Sequence, residues 1–104
     1  MQISAKLLTV GKTPEADFVG KNNNMVVRFP AAENHNKKEG SEWVTVSTSW
    51  YNMEAWGDVA EQVMTELDKG VGFELVSGYH KIDKVDDRYY NKYVITEFKK
   101  YERE

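Results

Sequence analysis

The stretch Trp50–Gly70, WYNMEAWGDVAEQVMTELDKG, changes period halfway along, and that change decides the fold. Up to Trp56 the alternation is twofold. Trp50, Asn52, Glu54 and Trp56 share one face of an extended strand, and Tyr51, Met53 and Ala55 share the other. The second set reads as core, so both tryptophans fall on the wetter face. From Asp58 the period becomes helical. Val59, Val63 and Leu67 repeat at i, i+4 and i+8, with Ala60 and Met64 beside them. Asp58 and Glu61 resemble a capping box, Lys69 falls in the last turn, and Gly70 supplies the stop. A helix over 58–69 is expected.

Upstream, EWVTVSTSWYNMEAW (42–56) is one long strand rich in Val, Thr, Trp and Tyr, with a bend or bulge expected near Ser47–Ser49. ISAKLLTV (3–10) reads as a first strand buried on much of both faces. GKTPEADFVGKNNN (11–24) reads as a long connection punctuated by Gly11, Pro14, Gly20 and three asparagines. MVVRFPAA (25–32) is a second strand, with Pro30 near its end or at an edge because proline cannot donate to a ladder. ENHNKKEGS (33–41) reads as a mobile polar loop without an apolar anchor. Downstream, VGFELVSGYHKI and YYNKYVITEFKKY are strands flanking the charged hairpin tip DKVDDR. Three strands, one helix and two strands make an all-β, five-stranded OB barrel with its helix between strands 3 and 4. A small α+β sandwich has the same element order. No repeat or linker divides the chain, so 1–104 is expected to form a single domain.

The 104 residues contain no cysteine, which excludes disulfides and thiolate metal sites. His35 and His80 have no metal-ligand spacing, so no metal and no cofactor is expected. No apolar run approaches the roughly 18 residues of a membrane span. The N-terminus lacks a signal-peptide pattern, which points to the cytoplasm. The formal charge is −3. Asp58, Glu61, Glu66 and Asp68 against Lys69 account for all of it, and the other 13 basic residues balance the other 13 acidic ones. That acidic helix should face away from an anionic ligand. No Ser-His-Asp order, P-loop or glycine-rich phosphate fingerprint is present, so no catalytic residue is expected.

Several short motifs, in order, resemble the bacterial-type single-stranded DNA-binding proteins. They are the turn Gly11-Lys12-Thr13-Pro14-Glu15, the strand from Trp50 to Trp56-Gly57-Asp58-Val59-Ala60-Glu61, and then Lys69-Gly70, Ser77-Gly78 and Arg88-Tyr89. Threonine replaces the family's usual aspartate before Pro14, and His35 stands where an aromatic is common. The spacing from Lys69-Gly70 to Gly78 is one residue longer than usual, which suggests a bulge after the helix. The sequence ends KKYERE without the family's acidic tail, so recruitment of replication enzymes through that tail is not expected. The resemblance implies an OB fold, single-stranded DNA as partner and a homo-oligomer, a tetramer or dimer, in a bacterial or phage-encoded system, with an organellar one as the alternative.

Splayed bases stack on aromatic rings for about 1–3 kcal/mol per base whatever the sequence. Trp50 and Trp56, roughly 20 Å apart along a strand rising about 3.3 Å per residue, are expected to stand bare on the barrel wall and to engage different nucleotides. Asn52 between them would hydrogen-bond a base or sugar. Glu54 is the misfit, and a lysine of a neighbouring strand is its expected partner. Trp43 either stacks on a base or covers the barrel, and Phe18 either stacks or anchors its loop. Lys12 and Lys21 flank Phe18. Lys81, Lys84 and Arg88, with Lys92 and Tyr79, surround the last hairpin and are candidates for phosphate contact. Lys37 and Lys38 would close over a strand, and Lys99, Lys100 and Arg103 form a solvated end. The alternatives are an OB-type protein-assembly module of the primosomal kind, or single-stranded RNA binding.

Overall fold

The computed structural model describes residues 2–101, with side chains from Leu7 onward; Arg103 lies outside the described residues. The elements are β1 (Gln2–Val10), β2 (Glu15–Val19), β3 (Asn24–Glu39), β4 (Glu42–Trp56), α1 (Gly57–Glu66), β5 (Gly72–Val85) and β6 (Arg88–Lys100). Five of the strands carry inward side chains, four of them at alternate positions: Leu8 and Val10, Val27, Phe29 and Ala31, Met53 and Ala55, and Phe73 and Leu75; on the fifth, Ile95 and Phe98 stand three apart across a register shift. A sheet with one apolar face hides it by closing on itself. The order is β1-β5-β6-β4-β3, and β3 returns to β1 through Thr9↔Ala32 and Val10↔Ala31. All pairings are antiparallel except β4–β6, which is parallel through Met53↔Tyr93 and Glu54↔Val94. This is the expected five-stranded OB barrel. At its centre Phe73 lies edge-on between Phe29 at 5.8 Å and Phe98 at 6.2 Å.

Helix α1 sits between β4 and β5, as its apolar stripe foretold, and buries Ala60 and Val63, with Leu67 just beyond it. Its ends differ from expectation. Gly57, at φ +60°, swings the chain directly from strand into helix, so the extended residue Trp56 is the N-cap and no side chain caps the helix. Asp58 stands in the first turn, where its charge suits the helix dipole. The helix stops at Glu66 because Leu67 turns extended to reach the core, so Lys69 lies outside it. Gly70, at φ +86°, then donates to the Val10 carbonyl at 2.8 Å. Met64 is exposed rather than part of the buried stripe.

Four further expectations need correction. The connection after β1 contains β2, which pairs with β3 from Glu15↔Arg28 to Val19↔Asn24. The polar segment 33–41 is not a loop: β3 and β4 stay paired from Glu33↔Ser49 to Glu39↔Glu42. Polar side chains fasten this arm where apolar ones are absent. Thr48 donates to Asn34, Thr45 donates to Asn36, and His35 shares a hydrogen bond with Ser49. Pro30 lies inside β3, at the place where its neighbour changes from β2 to β1. Its carbonyl accepts from Gly11 N–H on that side, so the missing N–H faces the gap between partners. On β1, Leu8 and Val10 are buried but Leu7 is exposed, so the end of the strand alternates. The bulge expected after the helix is present as register shifts between Leu75 and Gly78.

Candidate nucleic-acid interface

Pairing with β3 fixes which side chains of β4 look outward. Trp56, Glu54, Asn52 and Trp50 sit opposite Val26, Arg28, Pro30 and Ala32, all on the face away from Met53 and Ala55. The parallel neighbour β6 and its hairpin partner β5 continue this face with Lys92, Tyr90, Lys81, Asp83 and Tyr79. Between this sheet and the turn after β1 runs a groove of about 360 Å³, lined by Lys12, Arg28, Asn52, Glu54, Tyr90 and Lys92 among others.

Glu54 lies at the bottom of the groove, 1% exposed. Its Oε1 accepts from the Trp56 indole N–H at 2.7 Å and lies 2.9 Å from Lys81 Nζ. Its Oε2 accepts from Arg28 Nε at 3.3 Å and lies 3.6 Å from Lys92 Nζ. The lysine partner expected for this misfit carboxylate is therefore two lysines and an arginine. Burial alone would push the Glu54 carboxyl up. The Lys81 and Trp56 hydrogen bonds, the Lys81 charge and the Arg28 hydrogen bond outweigh it and hold Glu54 below the ordinary glutamate value. The hydrogen bond to Glu54 raises Lys81 in turn, against its own desolvation. Asp83 adds a second acid, 2.9 Å from Lys92 and 3.9 Å from Lys81.

Trp50 is 63% exposed, and Trp56 is half-buried, contrary to the expectation that both stand bare. The reason is the Glu54 hydrogen bond, which draws the indole edge inward while Lys81 lies 5.9 Å from the ring centre. The Trp50 ring rests on Gly11. A Cβ at Gly11 would stand 2.5 Å from Trp50 Cζ3, so only a bare backbone allows this seat. Trp43 is 70% exposed and does not cover the barrel. Strict alternation from Trp50 would put Trp43 on the opposite face. The register shifts by one between His35↔Ser47 and Asn36↔Thr45, which leaves Val46 as an extra residue. Past this bulge Trp43 pairs with Lys38, on the face of β3 that carries Ala32 and Arg28. The bend was expected within a few residues of this point, but its effect on Trp43 was not.

The other candidates divide between the two faces. Lys12 lines the groove, and Asn52 donates from its side chain to the Asn91 carbonyl at 3.4 Å. Tyr79 and Arg88 share the outward face by register, with Arg88 at the hairpin tip. Lys84 pairs with Tyr89 on the reverse face, its Nζ 5.7 Å from that ring. Phe18 pairs with Met25 on the core-side parity of β3, so it does not join the groove, although it is 60% exposed. Lys21 is exposed in the β2–β3 turn. Lys37 has the parity opposite to Lys38 on the arm. Arg28 and Tyr90 were missed. Tyr90 shares parity with Lys92, a signal visible in the sequence, whereas Arg28 is found only through its register with Glu54. No α1 residue lines the groove, but Thr13 at its rim donates to Asp68 at 3.0 Å.

Among the described residues no cluster of His, Cys, Asp and Glu is suited to a metal ion, and no helix is long and apolar enough to cross a membrane. Residues 8–99 match the sequence profile of the Single-strand binding protein family. A comparison with curated proteins finds no match. Among solved structures, the chain is similar in fold to a small single-stranded DNA-binding protein from Streptomyces coelicolor. The TM-score is 0.74 at 16% identity, covering 96% of this chain and 93% of that one. It is also similar to the SSB domain of a Synechococcus sp. protein, with TM-score 0.67 at 14% identity, covering 93% and 94%.

Proposed function

The chain belongs to the Single-strand binding protein family, and from that premise we propose that it binds single-stranded DNA, with little regard to sequence, along the outward face of β3, β4 and β6. The observation that carries this reading is the exposed row of Trp43 and Trp50, continued by a groove whose rim holds Lys12 and Tyr90. Bases stack on the indoles and on Tyr90, Asn52 reaches a base or sugar, and phosphates lie toward Lys12 and the outer sides of Lys81 and Lys92. Trp56 contributes the part of its ring left open above Glu54. Tyr79 and Arg88 extend the path toward the β5–β6 hairpin, whereas Lys84, Phe18 and Lys21 lie off this track. No step is catalytic: the protein acts by holding strands open in replication, recombination or repair, in a bacterial or phage-encoded cytoplasmic setting. Residues 1–104 act as one OB domain, and family membership supports a homo-oligomer, dimer or tetramer, around which one strand wraps.

A titration with oligo-dT tests this. Tryptophan fluorescence should fall, and binding should weaken as salt rises. Folded protein that shows no quenching at low salt rejects the reading. Substituting both Trp43 and Trp50 with alanine separates it from the protein-assembly alternative: lost DNA binding at unchanged mass in solution supports the proposal, and lost assembly refutes it. Oligo-U titrated in parallel reports the DNA-over-RNA preference, which stacking alone does not set.

A further inference from the structure

Among the described residues Glu54 is the one buried charged side chain, and it lies beneath a surface that must attract a polyanion. A carboxylate there would be a defect unless it organised the cations above it. Arg28, Lys81 and Lys92 all reach it, and each keeps solvent access, being 46%, 32% and 27% exposed. Asp83 holds Lys92 and Lys81 from the hairpin side. Three cations against two carboxylates leave this cluster with a net charge of +1.

We infer that Glu54, with Asp83, is a built-in counterion that keeps the groove's cations paired before DNA arrives, so that the protein holds single strands with a weaker salt dependence than its cation count implies. The inference rests on the single-stranded DNA reading. Each phosphate neutralised on a single strand contributes about −0.7 to the slope of log K against log salt. Three free cations would contribute about −2 on that scale, and a cluster of net charge +1 contributes about −0.7. The cations still orient the strand, because their outward N–H groups remain available while Glu54 holds them from below. Glu54 is thus a positioning residue: it acts through Trp56, Lys81, Arg28 and Lys92, all of which it touches.

The test is the salt dependence of oligo-dT affinity for the wild type, Glu54→Gln and Asp83→Asn. Each substitution keeps the side chain's shape and raises the cluster to a net charge of +2, so each slope should steepen by about 0.7. Glu54→Gln should also change the quenching contributed by Trp56, whose indole partner loses its charge. If Glu54 were merely structural, its replacement would lower the melting temperature and leave the slope alone. Wild-type binding with an unchanged slope in a folded Glu54→Gln protein overturns the inference. If Glu54→Gln does not fold, the half-exposed Asp83→Asn decides: a steeper slope supports the counterion cluster and an unchanged one overturns it. Wild-type protein that fails to bind at low salt removes the parent reading, and this inference with it.

Discussion

Gly11 and Trp50 work as one unit, because the glycine's missing side chain is the seat of the indole. Gly11→Ala should push the ring off its seat while the core, which Gly11 does not join, stays intact. Trp50→Ala should weaken oligo-dT binding by about 1–3 kcal/mol, the usual loss for one stacked base. Gly11→Ala should lose part of that, read as reduced quenching with an unchanged thermal midpoint. Equal affinity in Gly11→Ala and the wild type would show that the seat does not matter. Glu54 makes a second residue-level prediction. Its folded pKa is depressed below the ordinary 4.5, so its contribution to stability is complete above 4.5 and is lost as pH falls through the lower folded value. The stability gap between the wild type and Glu54→Gln, measured by urea denaturation, should be widest near neutrality and close below pH 4.5. A gap that widens on acidification would contradict the ion-pair geometry.

The β3–β4 arm shows how one inserted residue redirects a whole element. Val46 is extra relative to β3, and everything beyond it changes face. Deleting Val46 should restore an unbroken ladder in which Trp43, now six positions from Trp50, still pairs with Lys38 and stays on the face of Trp50. The expected result is a folded protein whose oligo-dT quenching matches the wild type; quenching reduced to that of Trp43→Ala would argue against the register. The arm also explains why a polar sequence can hold a strand. The Asn34–Thr48 and Asn36–Thr45 side-chain pairs are cross-strand contacts that composition does not reveal. Segment 33–41 looked like a loop because its side chains are polar, but its order comes from the opposite strand. Helix α1 was legible for the opposite reason: Ala60, Val63 and Leu67 carry its burial within one local stripe. Its ends were misjudged because Trp56–Gly57 and Leu67 obey the barrel rather than capping rules.

Across the whole molecule, charge is divided by location. The acidic residues Asp58, Glu61 and Glu66 lie on α1, which lines no part of the groove, whereas Asp68 touches its rim through Thr13. Reversing Glu61 to lysine should therefore change oligo-dT affinity by less than about twofold at physiological salt, where the Debye length is about 8 Å. Reversing Lys12 to glutamate should weaken binding and flatten the salt slope. Comparable effects from both substitutions would mean that net charge, not the groove, governs binding. The barrel that keeps these regions apart depends on its aromatic centre. Phe73→Ala, which leaves Phe29 and Phe98 without their common neighbour, should cost about 3–5 kcal/mol of stability. Urea denaturation measures this directly.

Local pattern along the chain settles the order of the five barrel strands and the helix, the inward turn of Met53 and Ala55, and the outward parity of Trp50, Asn52 and Glu54. Those follow from periods of two and 3.6, which are local properties of the backbone. The tertiary structure alone decided that β6 lies beside β4, that Arg28, Lys81 and Lys92 meet at Glu54, and that Trp43 joins Trp50 beyond a bulge. Each of these depends on register between strands distant in sequence. A shift of one residue there reverses a face, and no short-range pattern records it.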